Sequence, residues 1–141
     1  MPDVAAPLVL VVEDDPNVRG LLSTLLRAEG YQVSIASDGV AGLVKASTQR
    51  PQLILLDLMM PDLGGGRVLE ELSADPTLAD VPVVVVTGKL EAIPELRQLL
   101  GEDSVFGKPF GVADLLGRVA ELTGGPDGAR PPSDDAEQEG T

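Results

Sequence analysis

Short aliphatic runs alternate along most of this sequence with segments whose apolar residues recur at helical spacing. Leu8-Val9-Leu10-Val11-Val12 is unbroken and stops on Glu13-Asp14-Asp15, with Pro16 next, where the first turn of a helix accepts it. Val18, Leu21, Leu22, Leu25 and Leu26 then form an i, i+3, i+4, i+7, i+8 stripe, with Asp15 placed as its cap and Gly30 just past its end. Val33 and Ile35 alternate with polar neighbours in a second strand, and Asp38 to Gln49 carries Val40, Leu43, Val44 and Ala46 in a more weakly amphipathic helix. Pro51 leads into Leu53-Ile54-Leu55-Leu56, a run that suits a strand buried on both faces and ends abruptly on Asp57. Gly64-Gly65-Gly66 reads as a pliable loop, after which Val68, Leu69 and Leu72 supply a short third helix that Asp75-Pro76 breaks.

Val81 to Val86 is a run of valines ending on Thr87-Gly88, interrupted only by Pro82 at its beginning, where a ladder donor is least missed. A short fourth helix from Ala92 to Leu100 follows, with Pro94 tolerable only in its first turn. Ser104-Val105-Phe106 predicts a brief fifth strand, and Val112, Leu115, Leu116, Val119 and Leu122 a last amphipathic helix. Five strand-helix units in succession imply an α/β fold, a doubly wound parallel sheet with right-handed crossovers and helices on both faces.

In open parallel sheets, ligands sit beyond the carboxyl ends of the strands. Glu13, Asp14 and Asp15 end the first strand, Asp57 the third and Thr87 the fourth, and Lys108 closely follows the fifth. Any one of these is a commonplace turn residue, Asp57 included; their concentration on one rim is the specific signal. Carboxylates brought together repel unless a cation is bound or a proton retained. With oxygen ligands alone, Mg²⁺ is the cation that fits best. Lys108, Thr87 and the metal could then hold a phosphoryl group at Asp57, since carboxylates act as phosphoryl acceptors.

Composition narrows the chemistry further. The 141 residues include no cysteine and no histidine, which removes disulfides, thiolate and imidazole ligands, and a histidine general base or phosphoacceptor. The formal charge of −13 argues against direct binding to nucleic acid. No apolar run approaches a membrane span, which predicts no membrane insertion, and a cytoplasmic protein is the simplest expectation. Three segments are expected: an N-terminal extension over 1–7, one domain over 8–123, and a disordered acidic Gly/Pro-rich tail over 124–141, whose five acids and one arginine carry −4 of the charge.

The set Val-Val-Glu13-Asp14-Asp15-Pro16, Leu-Leu-Asp57-Leu-Met-Met-Pro61, Val-Val-Thr87-Gly88 and Lys108-Pro109-Phe110 resembles the receiver domain of two-component response regulators over about residues 8 to 122. The resemblance implies a flavodoxin-like, CheY-like fold: a five-stranded parallel sheet of order 2-1-3-4-5 flanked by five helices. It implies that Asp57 is the phosphoacceptor and that Mg²⁺ is held by Asp14 and Asp57 directly, by Glu13 through water and by the main-chain carbonyl of Met59. Thr87 would contact the phosphoryl group and move toward it, Lys108 would pair with a phosphoryl oxygen, and the Lys108-Pro109 bond would be cis. The implied donor is a phosphohistidine on a sensor histidine kinase or a histidine phosphotransfer protein. The implied role is a phosphoacceptor switching protein contacts with a downstream target, with only slow autodephosphorylation of its own. Only the tail follows Leu122, so a stand-alone or truncated regulator is expected.

Where receivers carry Tyr or Phe three residues before the lysine, this chain has Val105; Phe106 should face the other side by strand alternation. The surface formed by helix four, strand five and helix five is therefore expected to signal differently or weakly. That departure supports a competing reading, a receiver-like interaction module working without phosphorylation. A phosphatase of the haloacid dehalogenase type is disfavoured, because the acid it needs two residues after the nucleophile is replaced by Met59. Met59 and Lys89 occupy positions where receivers tune the phosphoryl lifetime.

Overall fold

A computed structural model of the chain describes residues 6–58 and 65–126. The expected Met59 carbonyl ligand, the first residues of the N-terminal extension and the tail from residue 127 lie outside the described residues.

The elements follow in the order β1 (Leu8–Val12), α1 (Pro16–Glu29), β2 (Gln32–Ala36), α2 (Gly39–Gln49), β3 (Leu53–Asp57), α3 (Gly65–Ala74), β4 (Val83–Thr87), a 3-10 turn (Leu90–Ala92), α4 (Ile93–Leu100), β5 (Val105–Gly107) and α5 (Val112–Thr123). The strands form one parallel sheet of order β2-β1-β3-β4-β5, as expected. Val9 and Val11 of β1 pack with Leu22 and Leu26 of α1 and Leu115 and Val119 of α5. Leu10 and Val12 face the opposite way, toward Ala46 of α2 and Val68 and Leu72 of α3. The two-residue strand period thus sorts one aliphatic run into two cores.

Several boundaries and faces depart from the sequence pattern. Helix α3 begins at Gly65, so Gly65 and Gly66 belong to its first turn and not to a loop. Strand β4 starts after Pro82, whose carbonyl still accepts from Ile54 N at 3.0 Å. Strand β5 runs one residue later than predicted, because Gly107 continues the pairing with Thr87. In α2 the buried positions are Gly39, Gly42 and Ala46, while Val40 and Val44 are more than half exposed. Leu21 lies at the edge of the α1 stripe and is half exposed.

The register sets the rim in steps. Val12 pairs with Leu56, Asp57 with Val86 and Thr87 with Gly107. Glu13, Asp57, Thr87 and Lys108 therefore leave neighbouring strands at the same end of the sheet.

Candidate phosphoryl-acceptor site

Strand β1 delivers Glu13 to a nearly sealed position, 1% exposed, at the edge of the core. Asp57 is 4% exposed at the end of β3, and Asp14 is half-buried on the turn between β1 and α1. The carboxylates of Glu13, Asp14 and Asp57 each place an oxygen within 4.8 Å of the others. Lys108, directly after β5, brings its Nζ to 3.1 Å from Glu13 Oε1 and 3.5 Å from Asp57 Oδ1. Its backbone N–H donates to Thr87 O at 2.8 Å, and the Lys108-Pro109 peptide bond is cis. Thr87, fully buried, accepts at its hydroxyl from Lys89 N at 2.9 Å.

The turn that presents the acids is closed by its own hydrogen bonds. Asp15 Oδ1 accepts from Asn17 N at 2.8 Å and from Val18 N, and is the cap of α1. Asp15 N donates to Glu13 Oε2 at 3.3 Å. Arg19, one turn into α1, donates from Nη1 to Glu13 O at 3.0 Å and to Asp14 O at 3.3 Å.

Both remedies for clustered carboxylates are present. Burial first, then the hydrogen bond and charge of Asp57, push the Glu13 carboxyl up to about 7, with Lys108 pulling the other way. Glu13 thus holds a proton well into the range where an exposed glutamate has lost it. Burial alone would lower the Lys108 ammonium; the hydrogen bond and charge of Glu13, and then of Asp57, outweigh it and raise its pKa. A hard divalent cation fits this donor set. It offers three carboxylates and no softer ligand, and the retained proton and the lysine offset the charge that such a cation would neutralise.

The structure brings Glu13, Asp14, Asp57, Thr87 and Lys108 to one rim, as the sequence predicted. Val105 is 2% exposed and belongs to the core on the α2–α4 side, whereas Phe106 packs in the core with Val9 and Leu115. The two residues therefore lie on opposite faces, as alternation required. Arg19 was not legible as a contributor, because nothing in a helical stripe shows that a guanidinium folds back onto carbonyls. The available signal was its place one turn after the capping Asp15.

The response regulator receiver domain family matches residues 9–120 of the chain. The DNA-binding dual master transcriptional regulator RpaA of Synechocystis sp. is 37% identical over 117 residues, 82% of this chain and 48% of that protein. The DNA-binding response regulator MtrA of Mycolicibacterium smegmatis is 36% identical over 118 residues, 83% of this chain and 50% of its own length. The chain spans about half the length of these curated relatives. Among solved structures, the receiver domain of the Pseudomonas aeruginosa sensor histidine kinase PA1611, described with a magnesium ion in its active site cleft, is 30% identical. Its TM-score is 0.76, with 85% of this chain and 99% of that one covered. The chemotaxis protein CheY4 of Vibrio cholerae is 26% identical with a TM-score of 0.75, covering 84% and 99%. Among the described residues, no helix is long and apolar enough to cross a membrane.

Proposed function

We propose, for a chain that belongs to the response regulator receiver domain family, that Asp57 accepts a phosphoryl group from a phosphohistidine and that the phosphorylated domain changes its affinity for a protein partner. The observation that carries this reading is the single lysine ammonium set between Glu13 and Asp57 in a buried carboxylate cluster. An oxygen of Asp57 attacks phosphorus, an O–P bond forms, the P–N bond breaks, and the imidazole leaves with the electron pair and takes up a proton. Such transfers need positioning and charge neutralisation more than acid-base groups. Lys108 would meet a phosphoryl oxygen, and the Thr87 hydroxyl would donate to another. Glu13, Asp14 and Asp57 would hold Mg²⁺, which when bound neutralises charge on the phosphoryl oxygens.

In this reading the chain is a phosphoacceptor and not a turnover enzyme, and its donor is a histidine kinase or a histidine phosphotransfer protein. The DNA binding named for RpaA and MtrA is not carried over to this chain, which spans about half of those proteins. A groove of about 630 Å³ beside β5, walled by Arg97 of α4 and by Phe110 and Arg118, offers a surface for the partner. An acyl-phosphate donor with Mg²⁺ is expected to add one phosphoryl group per chain, read by intact mass, and Asp57→Asn to abolish it. Labelling that survives the substitution sinks the assignment. Val105 favours the competing reading of an interaction module working without phosphorylation; there, partner binding is unchanged in Asp57→Asn and by the donor.

A further inference from the structure

We infer that Arg19 is a positioning residue for the acidic turn, aiming Asp14 at the cation site from outside that site. This rests on the reading in which Glu13, Asp14 and Asp57 hold a divalent cation. The carbonyl of Glu13 belongs to the peptide plane between residues 13 and 14, and the carbonyl of Asp14 to the next plane. Arg19 Nη1 donates to both, at 3.0 Å and 3.3 Å. Because each peptide unit is planar, fixing two successive planes fixes both backbone dihedrals of the residue between them, and that residue is Asp14. Asp14 is only half-buried, so the backbone that carries it has a large share in aiming its carboxylate.

The neighbouring bonds hold the same turn from other points. Arg19 N donates to Asp15 O at 2.8 Å, and Asp15 N to Glu13 Oε2 at 3.3 Å. The guanidinium is therefore anchored on the helix whose cap follows the acids, and it reaches back over one turn to grip the two carbonyls ahead of that cap. It also carries a permanent positive charge. Positioning and charge differ in their response to salt: hydrogen bonds that set a dihedral persist when long-range attraction is screened.

The test compares the parent with Arg19→Ala and Arg19→Lys by the shift in thermal unfolding midpoint across a Mg²⁺ titration, which yields the dissociation constant by linkage. Arg19→Ala is expected to weaken Mg²⁺ binding about tenfold, at both 0.05 M and 0.5 M potassium chloride. Arg19→Lys, whose ammonium can reach the same carbonyls, is expected to stay within about threefold of the parent. At saturating Mg²⁺ both variants should again take one phosphoryl group on Asp57 from an acyl-phosphate donor. An unchanged Mg²⁺ constant in both variants, with only the cation-free midpoint lowered, overturns the inference and makes Arg19 a stability residue. A difference that disappears in 0.5 M salt overturns it in favour of plain charge. A parent that shows no Mg²⁺ shift at all overturns the cation reading itself, and this inference falls with it.

Discussion

Glu13 sits where a carboxylic acid is hard to ionise, and this gives the cation-free protein a defined dependence on pH. Its carboxyl titrates at about 7 in the fold against 4.5 in an open chain. Between those values the folded state keeps a proton that the unfolded state has released, so stability falls as pH rises from about 4.5 to 7 and then levels. The loss is on the order of 3 kcal/mol. Two other groups with shifted values act elsewhere. Lys108 contributes stability that is lost only as pH rises past its raised value, above 10.5, and Asp75 contributes stability that is lost only on acidification below 3.8. Thermal unfolding in a chelating buffer should show the midpoint declining from pH 5 to 7.5, and Glu13→Gln should flatten that decline. A variant that keeps the parent's slope would place the titrating group elsewhere. Removing the ammonium with Lys108→Met leaves Glu13 and Asp57 without their shared cation. It is therefore expected to steepen the decline and to abolish phosphoryl uptake.

At the scale of elements, the second helix shows where sequence patterns mislead. Of the stripe read for α2, Val40, Leu43, Val44 and Ala46, Ala46 is buried in the core and Leu43 packs against it, but Val40 and Val44 are more than half exposed and Gly42 is buried against the sheet in their place. A Cβ at Gly42 would lie 2.9 Å and 3.0 Å from the two methyls of Val12, the last residue of β1 before Glu13. Helix and strand can approach this closely only without a side chain, a requirement that periodicity does not encode. Gly42→Ala is expected to destabilise by about 1–3 kcal/mol, measured by urea denaturation, by forcing Val12 out of place. A neutral substitution would show that α2 is free to move off the sheet. The five strands and five helices were legible because each pairs an aliphatic run or stripe with a polar stop. Their order in the sheet was not, since periodicity carries no pairing information, and it came from the family resemblance. Strand ends slipped at Pro82 and Gly107 because pairing partners, not composition, decide where a ladder begins and stops. The rim residues were legible because each ends its strand or follows it within two residues, whereas Arg19 acts through backbone carbonyls that no side-chain pattern reveals.

Across the whole molecule, both edges of the sheet are guarded by cations in a chain whose net charge is −13. On β2, the Val33 carbonyl accepts from Arg27 Nη2 at 3.4 Å and the Ile35 carbonyl from Lys45 Nζ. On β5, the Val105 carbonyl accepts from Arg97 Nη2 at 3.4 Å. Val33 and Ile35 lie between Gln32, whose N–H donates to Pro7, and Ala36, whose carbonyl accepts from Glu13, both of which bond inward to the β1 side. The alternation of a parallel ladder turns the carbonyls between them outward, so the cations cover acceptors that another strand would use. Edge lysines and arginines are a known defence against such pairing. The acidity of the chain is a second defence, because copies repel at low ionic strength. The two can be separated by salt. Arg27→Ala combined with Lys45→Ala uncovers the β2 edge and makes the net charge two units more negative. The variant should match the parent's sedimentation in 0.05 M salt and self-associate more than the parent in 0.5 M salt, where repulsion is screened. Each lost cap should lower stability by about 0.5–1 kcal/mol. Equal sedimentation of parent and variant at high salt would mean that the twist and shortness of β2, and not its cations, keep that edge unpaired.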